Sequence, residues 1–139
     1  MASTVVVTRP WVIHPLHAAF LGGVFPFYLA TLLADYAYWT TYQIQWANFA
    51  AWLLVGAMVL TTLALLSGVV GLVRGSRRFA YVIVLAITWV LGFVNSLHHA
   101  RDAWAVMPGG LVMSVILALL ALVATVLGLC CLRNAGGVR

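Results

Sequence analysis

Residues 46–73 read WANFAAWLLVGAMVLTTLALLSGVVGLV and carry no charge, and the RGSRR that follows at 74–78 packs three arginines into five positions. A run of that kind is long enough to cross the hydrocarbon core of a bilayer, which takes about 20 residues of helix. The basic turn behind it marks the side on which such a helix emerges. Three more runs repeat the pattern, at about 15–38, 79–99 and 108–132. The first contains Gly22, Gly23 and Pro26, and a kink is expected near its middle because Pro26 lacks a backbone donor. The last opens on Pro108, a natural first-turn residue.

Composition agrees with this reading. The chain is 139 residues long, 65% hydrophobic and 6% charged, where a soluble domain carries about 25% charge. So short a soluble chain cannot bury this much apolar surface, whereas lipid can accept it. The expected fold is therefore an all-α membrane protein, a single domain over 1–139, with four transmembrane helices in an antiparallel bundle. A cleavable signal peptide is not expected, because the N-terminal stretch contains Pro10 and Pro15 and lacks a basic segment leading into a compact apolar core.

The charge pattern orients the spans. Seven basic residues, all arginine, stand against two acids, Asp35 and Asp102, for a formal charge of +5. With four spans, Arg9, Arg74, Arg77, Arg78, Arg133 and Arg139 fall on one side and only Arg101 on the other. That asymmetry predicts both termini on the cytoplasmic side. The arginines form no basic face, so nucleic acid is not an expected partner. Tyr36, Tyr38, Trp39, Tyr42 and Trp46 are expected in the outer loop as an interfacial aromatic belt. Cys130 and Cys131 are adjacent and match neither a metal-binding nor a haem-attachment spacing.

Titratable groups are costly near a membrane span and point to function. His14 and His17 open the first run; His98 and His99 close the third. In the four-span topology these pairs lie at opposite ends, roughly 25–30 Å apart. His17 and Asp35 fall on one helical face with Tyr28 and Thr31 close to the same line, as do Thr88, Asn95, His99 and Asp102 on the third run, while His98 points about 100° away from His99. The outer end thus gathers Asp35, Asn95, His99, Arg101 and Asp102, with Asn48 and Ser114 at similar depth. Such a cluster is either a helix-tying network, with Arg101 pairing Asp35 or Asp102, or a site for a quinone headgroup, proton or metal. His14 and His17, one turn apart, are the candidate ligands for haem iron or another metal, against a purely structural alternative. A closed four-ligand zinc site is disfavoured.

The stretches Ile13-His14-Pro15-Leu16-His17-Ala18-Ala19, Phe25-Pro26 and the span ending in Asp35 resemble the bacterial membrane family called domain of unknown function twenty-two thirty-one. Residues 42–49, YQIQWANF, with Trp52, and 99–104, HARDAW, resemble one branch of it. That branch is often encoded beside periplasmic quinoprotein dehydrogenases similar to sorbosone dehydrogenase, which carry pyrroloquinoline quinone. The resemblance runs from about Ile13 to Ser114. Many members carry a histidine immediately before the Phe-Pro, where this chain has Val24, and an acid in the last span, where it has Leu129-Cys130-Cys131-Leu132. The resemblance implies a four-helix protein of the bacterial inner membrane, close to periplasmic redox chemistry.

Three functions follow as expectations. The first is a redox subunit, more a part of an oxidoreductase complex than a stand-alone enzyme, passing electrons from a periplasmic dehydrogenase towards the quinone pool through haem b or a quinone site. Its cofactor-binding candidates are His99, Asp35, Asp102, Asn95 and Arg101 outside and His17 and His14 inside. The second is a non-catalytic anchor or assembly subunit for such a dehydrogenase. The third is a small proton or ion pathway along the seam from His17 to Asp35. Gly22, Gly23, Gly68 and Gly71 allow close helix approach and leave a homo-oligomer open.

Overall fold

A computed structural model describes residues 15–75 and 78–135, with side chains described as far as Cys130. Every regular element among them is helical: α1 (Pro15–Thr41), α2 (Ile44–Val73), α3 (Phe79–His99), the single turn α4 (Ala103–Val106) and α5 (Gly109–Ala135). Four helices are long and apolar enough to cross a membrane, their best windows averaging 1.6, 2.3, 2.0 and 2.8 in hydropathy.

The buried positions explain how these helices meet. On α1 they fall at His17, Leu21, Val24, Tyr28, Thr31, Asp35 and Tyr38, and on α2 at Ala50, Leu54, Ala57, Thr61 and Ala64. On α3 they fall at Tyr81, Leu85, Thr88, Gly92 and Asn95, and on α5 at Gly110, Ser114, Leu117, Ala121, Ala124 and Gly128. With Ala34, Val82 and Ala118 buried beside them, these series step alternately by four and three, the heptad rhythm that keeps one stripe facing its neighbours. Alanine and glycine recur in these stripes because lipid offers no hydrophobic drive between helices, so close backbone approach must hold them together. The opposite faces expose Leu33, Val55, Ile83 and Leu119, as a lipid-facing surface would.

α1 and α3 each pack against α2 and α5. Side-chain bonds fix which ends adjoin. His17, at the start of α1, meets Ser67 near the end of α2 and Tyr81 at the start of α3. Asp35, towards the end of α1, meets His99 at the end of α3 and Ser114 near the start of α5.

α1 is one continuous helix through Pro26, which leaves the Gly22 carbonyl without its helical donor. The connections differ from the sequence expectation in two places. α1 continues to Thr41, and Thr40 and Thr41 return their hydroxyls to the carbonyls of Tyr36 and Ala37. Tyr36, Tyr38 and Trp39 therefore stand on α1 and Trp46 on α2, so of the five expected loop aromatics only Tyr42 lies in the turn. Tyr42 has φ 52°, a left-handed backbone that makes so short a turn feasible. The α2 terminus closes on Gly75 at φ 90°, whose amide donates to the Leu72 carbonyl at 2.9 Å. Second, α4 interrupts the segment between α3 and α5, and Pro108 stands just outside α5, its carbonyl accepting the first amide bond from Val112 at 3.2 Å.

Candidate functional site

The described acid of α1 and the last histidine of α3 form one buried pair. His99 Nε2 lies 2.9 Å from Asp35 Oδ1, with side-chain exposures of 4% and 0%. The other carboxylate oxygen, Oδ2, accepts the Ser114 hydroxyl at 2.6 Å. Asn95 Nδ2 donates to Ser114 Oγ at 3.2 Å, and the Asn95 carbonyl lies 3.0 Å from His99 Nδ1. Three helices thus contribute, and Asn95 and His99 act together because four residues separate them on one helical face.

Proton counting shows what this arrangement does. Both ring nitrogens of His99 face oxygen acceptors, so Nδ1 must donate to the Asn95 carbonyl. A second proton must then lie between Nε2 and Asp35. Written as imidazolium and carboxylate, or as neutral imidazole and carboxylic acid, the pair carries no net charge and retains one transferable proton. Neutrality is what burial demands, since an unpaired ion in this setting would cost several kcal/mol (about 3–5 when a partner is removed). The pair is therefore arranged to share one proton.

Arg101 and Asp102 do not join it. Both are exposed, and the His99–Asp35 contact is the only ion pair among the described residues. The expected Arg101 pairing with Asp35 or Asp102 is corrected accordingly. The reason is local: α3 stops at His99, so extrapolating its helical phase to residues 101 and 102 fails. Asp102 instead precedes α4, its carbonyl accepting the Ala105 amide at 2.8 Å. Asn48 is exposed on α2 and takes no part. His98 does turn away from His99, and its Nε2 lies 3.2 Å from the Val106 carbonyl, tying α4 back to α3.

The other end holds a second, smaller cluster. Ser67 gives its proton to the backbone of α2, through the Leu63 or Ala64 carbonyl. His17 Nδ1 must therefore donate to Ser67 Oγ, and Nε2 lies 3.1 Å from the Tyr81 hydroxyl. The Tyr81 ring stands edge-on to the imidazole at 5.8 Å. His17 thus ties α1 to α2 and α3, and His14 lies outside the described residues. Between the ends, the Tyr28 hydroxyl meets Thr61 Oγ1 at 3.4 Å and Met58 Sδ at 3.5 Å. His17, Tyr28, Thr31 and Asp35 are all buried, so the seam on α1 survives Pro26.

Haem or another metal requires a bare lone pair on nitrogen. His17 and His99 both have each ring nitrogen engaged, and no group of three or more histidine, cysteine or acidic residues converges among the described residues. These residues do not fit an iron ligand set in this arrangement.

A feature that sequence reasoning missed adjoins the Asp35 end. A cleft of about 490 Å³ is lined by Tyr38, Trp39, Tyr42, Ala103, Trp104 and Met107. Tyr38 lies one turn beyond Asp35, and Tyr42 stacks on Trp104 at 5.9 Å and 20°. The sequence signal was the short apolar patch Ala103-Trp104-Ala105-Val106, too brief for a span. Thr61, the partner of Tyr28, carried no signal beyond its place in the α2 heptad.

Comparison of the chain with family models, with curated proteins and with solved structures found no match.

Proposed function

We propose that this chain is a multi-pass subunit of a bacterial inner-membrane redox system, an antiparallel four-helix bundle with both termini cytoplasmic, that serves a quinone headgroup at its outer end. The observation that carries the reading is the buried Asp35–His99 pair, arranged to share one proton beside an aromatic cleft. Quinone reduction and quinol oxidation couple electron transfer to proton transfer, so a shared proton near a planar, aromatic-lined recess suits that chemistry. Tyr42 and Trp104 would hold the ring by stacking, and Asp35 with His99 would take up or supply the proton. The six-to-one arginine asymmetry supports the orientation. The family resemblance supports a periplasmic dehydrogenase as the electron source. The haem version of the reading is set aside, because both ring nitrogens of His17 and of His99, the candidate ligands among the described residues, are engaged.

The deciding experiment is organic extraction of the detergent-purified protein, followed by titration of a short-chain quinone. Quinone should copurify, and the titrated quinone should bind saturably. Protein that neither retains nor binds quinone overturns the reading. If, in addition, His99→Ala leaves dehydrogenase recruitment and respiration unchanged, the chain is an anchor.

A second reading, a proton pathway, is favoured by the buried polar groups at both ends and at Tyr28 and Thr61 between them. It predicts proton flux in proteoliposomes that Asp35→Asn abolishes.

A further inference from the structure

Among the residues that line the aromatic cleft, Tyr38 alone is buried, at 2% exposure. Its ring meets Tyr42 edge-on at 6.1 Å, yet its hydroxyl makes no hydrogen bond to any described residue. The other buried tyrosines are bonded: Tyr28 meets Thr61 and Met58, and Tyr81 meets His17. A buried phenol ordinarily finds a partner, because withdrawal from water without one carries a desolvation penalty. Nor is the Tyr38 oxygen sealed in by packing, as Asn95 Oδ1 and Thr125 Oγ1 are. What it opens on is the cleft that its own side chain lines.

The rest of the wall limits what could fill that space. Trp39, Tyr42 and Trp104 offer aromatic rings, Met107 offers apolar surface, and no charged side chain lines the cleft. Arg101 and Asp102, the nearest charges in the chain, are exposed. The fitting occupant is neutral and flat, with an oxygen where it reaches Tyr38.

We propose that Tyr38 is the group that hydrogen-bonds the ring oxygen of a quinone in this cleft, an inference that rests on the quinone reading above. Neither the proton nor the lone pairs of its hydroxyl are committed within the protein. It therefore donates to a quinone carbonyl and accepts from a quinol hydroxyl, so both redox forms are held. Aromatic contact with Tyr42 and Trp104 sets the plane of the ring but is blind to its oxygens. Tyr38 supplies the discrimination, because a ring without an oxygen leaves the buried hydroxyl unpaired. Tyr38 follows Asp35 by one turn on the same buried stripe of α1. The oxygen it binds is thus held at the end of the cleft nearest the Asp35–His99 pair.

The test is titration calorimetry of the full-length protein in detergent against two probes, with protein-free micelles as the blank. One probe is a short-chain alkyl benzoquinone, the other the alkylbenzene with the same tail. Wild-type protein should bind the quinone more tightly than the hydrocarbon. Tyr38→Phe should weaken quinone binding about 3- to 10-fold, the worth of one hydrogen bond, and leave hydrocarbon binding unchanged. Trp104→Ala should weaken both probes alike, since ring contact does not depend on the oxygen. In thermal unfolding Tyr38→Phe should melt with wild type, because the hydroxyl ties nothing in the fold. Quinone affinity that Tyr38→Phe leaves unchanged, or an equal loss for both probes, overturns the proposal while the quinone reading stands. A marked fall in melting temperature assigns the hydroxyl to the fold and overturns it too. Wild-type protein that binds no quinone overturns both.

Discussion

Asp35 and His99 lie 2.9 Å apart across two helices, although 64 residues separate them in the chain. Each satisfies the other in a place where neither could remain charged alone. His99→Leu should therefore destabilise the protein by about 3–5 kcal/mol, because it strands a buried carboxylate, and Asp35→Leu should do similar damage. The double replacement should recover much of the loss, since a matched apolar pair strands nothing. Equilibrium unfolding of the four proteins checks this, and strictly additive losses would show that the two residues are not coupled.

Gly92 is a point of close approach in the middle of the bundle. A Cβ there would stand 2.6 Å from both the Tyr28 hydroxyl oxygen and Met58 Sδ, and the Tyr28 ring has little freedom to retreat. Gly92→Ala should cost about 1–3 kcal/mol through overpacking. Gly22, with nothing within 4 Å of its added Cβ, provides the contrast. Gly22→Ala should be neutral or stabilising by up to about 1 kcal/mol, the helix-propensity difference. Thermal unfolding of the two variants tests the ranking.

Engagement of both His17 nitrogens leads to a spectroscopic expectation. The reduced-minus-oxidised spectrum of purified protein should lack a Soret band. A band that disappears in His17→Ala would show that the imidazole exchanges its hydroxyl partners for iron. Tyr81→Phe should separately destabilise by about 1–3 kcal/mol, because the buried Nε2 loses its hydrogen-bond partner.

Tyr42, in the turn after α1, and Trp104, on α4, wall the cleft. Tryptophan fluorescence should be quenched by a bound quinone, and Trp104→Ala should weaken binding about 3- to 10-fold, the worth of one aromatic pair (about 0.5–1.5 kcal/mol). Unchanged affinity would place the quinone elsewhere.

Orientation can be read with reporters. A fluorescent protein fused after Arg139 should glow, and a phosphatase placed there should be inactive, as a cytoplasmic C-terminus requires. The opposite result would invert the topology and put the Asp35–His99 pair on the cytoplasmic side.

Much of the architecture was legible in the residue order. Four apolar runs specify four helices because length and hydropathy are local properties. The grouping of His17, Tyr28, Thr31 and Asp35 on one face was equally readable, because helical phase holds along a continuous helix. The separation of His17 from His99 followed from counting spans. What only the tertiary structure decided was partnership. That His99 rather than Arg101 answers Asp35 depends on where α3 stops, and phase ceases to predict direction beyond a helix end. That Ser114 and Asn95 complete the cluster depends on the register of α5 against α1 and α3, which small residues set by close packing and which no single segment encodes. The aromatic cleft arises in the same way, from a turn of helix too short to announce itself folded back beside the end of α1.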